Sequence, residues 1–184
     1  MISPERRRIM NLPNKLTILR ILLIPVFIVI LMTGHYYISA VIFVAASLTD
    51  ALDGAIARKY NLITNFGKIM DPLADKLLVT AALVCLVQLG DIPAWMVFVI
   101  LAREFTVTSL RSVAASEGIV IAAGRSGKIK TILQMTAIIA ILFKNKPFEA
   151  MNIPVADGLL WAAVIMTIVS GAEYIYKNRQ LFSM

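Results

Sequence analysis

Four aspartates, Asp50, Asp53, Asp71 and Asp75, occupy a 26-residue window, DALDGAIARKYNLITNFGKIMDPLAD. They are four of the chain's 11 acidic residues, and hydrocarbon surrounds them. An Asp at the centre of a membrane helix costs roughly 2.5–3.5 kcal/mol, and less near its ends. Two carboxylates about 6 Å apart at an effective dielectric of about 20 repel by about 3 kcal/mol. A cation must offset this, and a divalent metal does so best. Asp50 and Asp53 stand at i and i+3, on one helix face with Ala57; Gly67, Asp71 and Asp75 stand at i, i+4 and i+8. An all-oxygen donor set favours Mg²⁺, Mn²⁺ or Ca²⁺ over zinc. Four carboxylates suffice for two ions, and paired metals about 4 Å apart suit displacement at phosphorus. Ala51, Gly54, Ala55 and Ala57 surround the first pair and Gly67 precedes the second, small enough to let a ligand or backbone approach. Arg58 adds a fixed cation for phosphate charge. The plainer alternatives are structural ion pairs for the acids, tight helix packing for the small residues and a snorkelling interfacial Arg58.

Helices must position these groups, and the composition says where they run. The chain has 184 residues, is 59% hydrophobic and has a mean hydropathy of +0.82, too apolar for a soluble domain. Six apolar segments, 16–34, 36–58, 70–89, 92–115, 127–143 and 153–175, each approach the ~20 residues that cross a bilayer. Gly34, the run Gly90-Asp91-Ile92-Pro93, the stretch 118–124 and the stretch 144–154 break them. The expectation is one all-α integral membrane domain over 1–184: an interfacial arm at 1–15, then a six-helix bundle at 16–175. Ile9, Met10 and Leu12 would lay the arm along the membrane surface. The basic start resembles a signal peptide, but no small-residue cleavage site follows, so a retained first helix is expected.

Six spans put both termini on one side. That side collects 16 of the 18 Lys and Arg residues; the other has only Lys144 and Lys146. The positive-inside rule makes the 16-charge side cytoplasmic and accounts for the net charge of +7 without nucleic acid. All four aspartates fall there: Asp50 is 14 residues beyond Tyr36, about 21 Å along a helix. The residues Lys59 to Phe66 read as the connection that folds the two carboxylate pairs together, with Pro72 limiting the start of the next helix. Cys85 lies in an apolar run and no second cysteine exists to pair with it; His35, the one histidine, sits at a loop.

The spacing Asp50-x2-Asp53-Gly54-x2-Ala57-Arg58-x8-Gly67-x3-Asp71-x3-Asp75 resembles the signature of the CDP-alcohol phosphatidyltransferases at all eight fixed positions. The resemblance implies that family's helical membrane fold and a homodimer in a bacterial inner membrane, with the active site and both termini cytoplasmic. It also implies two divalent cations, Mg²⁺ or Mn²⁺, held by Asp50, Asp53, Asp71 and Asp75. Asp75 would be the general base, and Gly54, Ala57, Arg58 and Gly67 would lie along the CDP moiety. The stretches NLPNKLTILRILLIPVF, MDPLADKLLV, AREFTVTSLR and GKIKTILQM are similar to the branch whose acceptor is sn-glycerol 3-phosphate and whose donor is CDP-diacylglycerol.

A dianionic acceptor needs cations besides metal. Arg103, Arg111, Lys128 and Lys130 are the candidates, with ordinary cytoplasmic loop charge as the alternative. Asn14, Thr17 and Arg20 open the first helix; Asn14 and Thr17 are offered to the nucleotide and Arg20 to the acceptor phosphate, against capping and interfacial anchoring. Within the family an inositol-phosphate or serine acceptor is the nearest rival. A cation-coupled transporter would explain buried carboxylates but not Gly54, Arg58 and Gly67 at fixed spacing. A membrane prenyltransferase would need a second aspartate motif, which the remaining acids do not form.

Overall fold

Stripes of apolar and small residues become six long α-helices among the described residues. The computed structural model describes residues 12–59, 64–119, 121–122, 124–146 and 148–182. The helices are α1 (Leu12–Met32), α2 (Tyr36–Lys59), α3 (Asn65–Gln88), α4 (Ala94–Ser116), α5 (Arg125–Leu142) and α6 (Val155–Lys177), with 3-10 turns at Phe148–Met151 and Arg179–Phe182. No strand occurs among the described residues. The chain divides into two compact units, Met1–Cys85 and Leu86–Met184.

In the first unit α1 and α2 pack through Ile24, Phe27 and Leu31 on one side and Ala40, Phe43 and Ala46 on the other. The Phe27 and Phe43 rings lie 6.1 Å apart, tilted by 45°. That spacing suits an aromatic pair that adds to simple burial. The α1 stripe begins earlier, at Asn14, Thr17 and Arg20, and these polar residues are as buried as the apolar ones beyond them. A single face of α1 is therefore polar in its first turns and hydrocarbon in the rest. From α3, Ala74, Leu78 and Ala82 recur every four residues as its buried edge.

In the second unit the same division recurs on α5 and α6. The buried face of α5 runs from Lys130 and Gln134 to Ala137, Ile138 and Ile141. That of α6 runs from Leu160, Ala163 and Val164 to Thr167, Ser170 and Tyr174. Asn145, just after α5, accepts the Ala156 N–H at 3.0 Å and donates to the Ile153 carbonyl at 2.7 Å, tying the end of α5 to the start of α6. The two helices run antiparallel, so the polar start of α5 meets the polar end of α6. α4 runs parallel to α6: Trp95 meets Trp161 at 5.5 Å near one end, and Arg111 stacks on Tyr174 towards the other.

The six segments of the sequence reading correspond to these helices, with shifted ends. α1 begins at Leu12, so residues 12–15 of the expected arm are helical. The amphipathic reading of Ile9 and Met10 falls outside the described residues. α3 begins at Asn65 rather than 70, because the Thr64 hydroxyl caps it by accepting the Gly67 N–H at 3.0 Å. Pro72 is inside α3 and does not limit its start. Pro13–Met32 and Val155–Lys177 are long and apolar enough to cross a membrane, and Tyr36–Asp50 is a shorter apolar stretch. α2 through α5 carry the ionisable residues of the candidate sites, which lowers their apolar character.

Candidate active site

The polar face of α1 reaches both carboxylate-bearing helices. Arg20 donates from Nη1 to Asp50 Oδ1 of α2 at 2.5 Å, and the arginine is only 1% exposed. Thr17 lies one turn earlier and donates from Oγ1 to Asp71 Oδ1 of α3 at 2.6 Å. Asn14, a further turn back, exchanges hydrogen bonds with the Thr64 hydroxyl, at 3.0 and 3.1 Å. The i, i+3, i+6 spacing of Asn14, Thr17 and Arg20 thus becomes three successive contacts along one stripe. Arg20 and Thr17 orient aspartates that the sequence had singled out, and Asn14 holds Thr64, which it had not.

Gly67 has a second reason to lack a side chain. A Cβ there would lie 3.1 Å from Asn14 Oδ1, 3.3 Å from Thr64 Oγ1 and 3.4 Å from Asp71 Oδ2. Three oxygens border the small space above its Cα, a donor set suited to a hard cation or to the hydroxyls and amines of a ligand. The residues present therefore fit a divalent ion in donor chemistry. Asp75 follows Asp71 by one turn of α3, so the two share a face. The backbone of Asp53, Gly54, Ala57 and Arg58 continues α2, while their side chains fall outside the described residues. Among the described residues no group of three His, Cys, Asp or Glu side chains is gathered for a metal.

The second unit holds a separate cluster of charge. One oxygen, Glu104 Oε1, accepts from Arg103 Nη1 at 2.8 Å and from Lys130 Nζ at 2.6 Å. Lys130 is buried and Arg103 nearly so, leaving the trio a net single positive charge in poorly solvated surroundings. Arg103 fits because Gly171 faces it: a Cβ at Gly171 would stand 3.1 Å from Arg103 Cγ. Arg111 lies over the Tyr174 ring, 5.8 Å from its centroid, while Lys128 is exposed. Two of the proposed acceptor cations, Arg103 and Lys130, are thus brought together. Arg20 is paired with Asp50 in the first unit. Sequence reasoning missed Thr64, Glu104 and Gly171 as neighbours of these groups, and Gln134 as a buried polar residue beside Lys130. The Thr64-x2-Gly67 spacing was a readable capping signal, and Gln134 stands one turn after Lys130; nothing in the sequence pairs Glu104 with Lys130 across 26 positions.

The helical fold and the aspartate motif define a class, and a family model agrees. The CDP-alcohol phosphatidyltransferase model matches residues 10–169, and the chain belongs to that family. It is 51% identical over 183 residues to a Bacillus subtilis protein named CDP-diacylglycerol–glycerol-3-phosphate 3-phosphatidyltransferase, covering 91% of this chain and 95% of that one. A Rickettsia felis protein of the same name is 39% identical over 176 residues, covering 94% and 97%. A Mycobacterium tuberculosis protein named as a probable phosphatidylglycerophosphate synthase is 40% identical over 179 residues, covering 94% and 83%.

Proposed function

We propose that this protein transfers the phosphatidyl group of CDP-diacylglycerol to sn-glycerol 3-phosphate, giving phosphatidylglycerophosphate and CMP. The observation that carries the reading is the α1 stripe holding Asp50 and Asp71 of the family motif, in a chain so similar to enzymes named for this reaction. Asp50, Asp53, Asp71 and Asp75 are assigned as the ligands of two divalent cations, Mg²⁺ or Mn²⁺. When bound, such ions neutralise the diphosphate and the charge growing on the departing CMP.

The chain's own residues do the rest. Asp75 takes the proton from the acceptor's primary hydroxyl as its oxygen bonds to the β-phosphorus, and the bond from that phosphorus to the oxygen of CMP breaks. Gly54, Ala57, Arg58 and Gly67 are assigned to the CDP moiety, with Asn14 and Thr17 at its edge. Arg103 and Lys130 are assigned to the acceptor's phosphate, with Arg111 and Lys128 as outer cations; Arg20 is reassigned to orienting Asp50. All six helices are taken as spans with cytoplasmic termini, supported by the 16-to-2 division of Lys and Arg. The acyl chains then stay in the bilayer while the headgroup reacts. The homodimer rests on the family resemblance.

Purified protein given CDP-diacylglycerol with glycerol 3-phosphate, inositol phosphate or serine tests the acceptor. Glycerol 3-phosphate is expected to yield lipid and CMP in equal amounts; reaction with another acceptor alone overturns the assignment. Gly67→Ala sharpens the test. Alanine gains about 1 kcal/mol over glycine in a helix, yet its methyl group would press on the three oxygens above Gly67. Activity is expected to fall roughly 10- to 100-fold while the detergent unfolding temperature holds or rises. Wild-type turnover in that variant would exclude a role for the space above Gly67.

A further inference from the structure

The buried polar face of α5 holds one group that neither charge neutralisation nor packing explains. Lys130 is anchored by Glu104, which Arg103 shares. One turn further, Gln134 is 4% exposed, and its amide oxygen Oε1 is buried with no hydrogen-bond donor. Lining helix–helix surface could be covered by leucine or methionine at no such cost. Across the antiparallel pair, the Tyr174 hydroxyl of α6 is likewise buried without a partner. The polar end of this unit thus combines a net positive cluster with an acceptor oxygen that lacks its donor.

The two needs call for different parts of one molecule. A phosphate dianion offers only acceptor oxygens; it suits Arg103 and Lys130 and would repel the Gln134 oxygen. A hydroxyl beside the phosphate offers the missing donor. Glycerol 3-phosphate has two hydroxyls: the primary one reacts, and the secondary one is next to the phosphorylated carbon.

We propose that Gln134 reads this secondary hydroxyl, accepting its hydrogen bond at Oε1, and is a specificity-determining residue for the acceptor. The proposal rests on the acceptor reading given under Proposed function and deepens it. A site built to bond a hydroxyl rejects the analogue lacking it far more strongly than an apolar pocket rejects a change of size, because its own polar group is left unpaired.

The test pairs enzyme and substrate changes. Unmodified protein is assayed with glycerol 3-phosphate and with 3-hydroxypropyl phosphate, which keeps the phosphate and the reacting hydroxyl but lacks the secondary one. The kcat/KM ratio between them is expected to be about 10- to 100-fold. Gln134→Met, close in size and without an amide, is expected to bring the ratio within about threefold, chiefly by raising KM for glycerol 3-phosphate. A merely structural role would lower both substrates alike and leave the ratio standing, which overturns the inference. If Gln134→Met does not fold, Gln134→Asn, which withdraws the amide by one methylene, should also collapse the ratio. Equal use of both acceptors by unmodified protein overturns the inference and leaves the acceptor reading intact. Failure to use glycerol 3-phosphate at all removes the acceptor reading, and the inference with it.

Discussion

Replacing Asp75 with Asn is expected to lower kcat by about 10³-fold or more while CMP and CDP-diacylglycerol still bind within a few-fold of wild type. The substitution keeps the shape of the side chain and removes its charge and basicity. General-base contributions are typically ~10²–10⁴-fold, and weakened divalent-ion binding adds to the loss. Asp75 shares a face of α3 with Asp71, whose carboxylate Thr17 holds in place. Asp75 is the member of that pair proposed for proton transfer on the family resemblance, and Thr17 holds Asp71. Turnover with labelled glycerol 3-phosphate and calorimetric binding of CMP to the same preparation measure the two halves. Full turnover in Asp75→Asn would remove the base assignment.

Arg20→Met is expected to be damaging to a smaller degree and for a different reason. The guanidinium is buried and fixes the Asp50 carboxylate. Methionine fills similar space but leaves that carboxylate unrestrained. Misplacement of about 1 Å at a reacting centre costs about 10² in rate, so kcat/KM should fall roughly 100-fold. Breaking a fully buried pair costs about 3–5 kcal/mol. Asp50 is 36% exposed, which screens the interaction and reduces the expected loss to about 1–2 kcal/mol. The Tm in detergent should therefore drop by roughly 2–8 °C. Arg20→Lys should recover stability better than activity, because an ammonium keeps the charge but, as a compact point charge on a flexible stem, orients the carboxylate less strictly. If Arg20→Met instead raised KM for glycerol 3-phosphate alone, the sequence-based assignment of Arg20 to the acceptor phosphate would stand.

Much of this was legible in the residues. Long apolar runs punctuated by glycine and proline placed the six helices seen among the described residues, because such punctuation marks where a helix stops. The aspartate spacing named the family, since fixed small residues beside fixed acids are not what packing alone selects. The start of α3 was missed because Pro72 was weighed as a breaker while Thr64 was read only as part of a loop. A proline removes one backbone bond, whereas the Thr64 cap and its exchange with Asn14 secure the helix several residues earlier. The α1 contacts were half legible. Asn14, Thr17 and Arg20 stood out as polar residues on one face, but their partners lie 50, 54 and 30 positions away. No periodicity encodes such distances. The same limit hid the Glu104 bridge to Lys130 and the space that Gly171 leaves for Arg103.

The four aspartates are proposed to work through divalent ions at the diphosphate. The most direct measurement follows labelled glycerol 3-phosphate into lipid, and CMP into solution, with purified protein and CDP-diacylglycerol before and after EDTA treatment. Equimolar lipid and CMP are predicted before chelation, neither product after it, and recovery on adding Mg²⁺ or Mn²⁺. Lipid synthesis that continues undiminished through chelation would contradict the account.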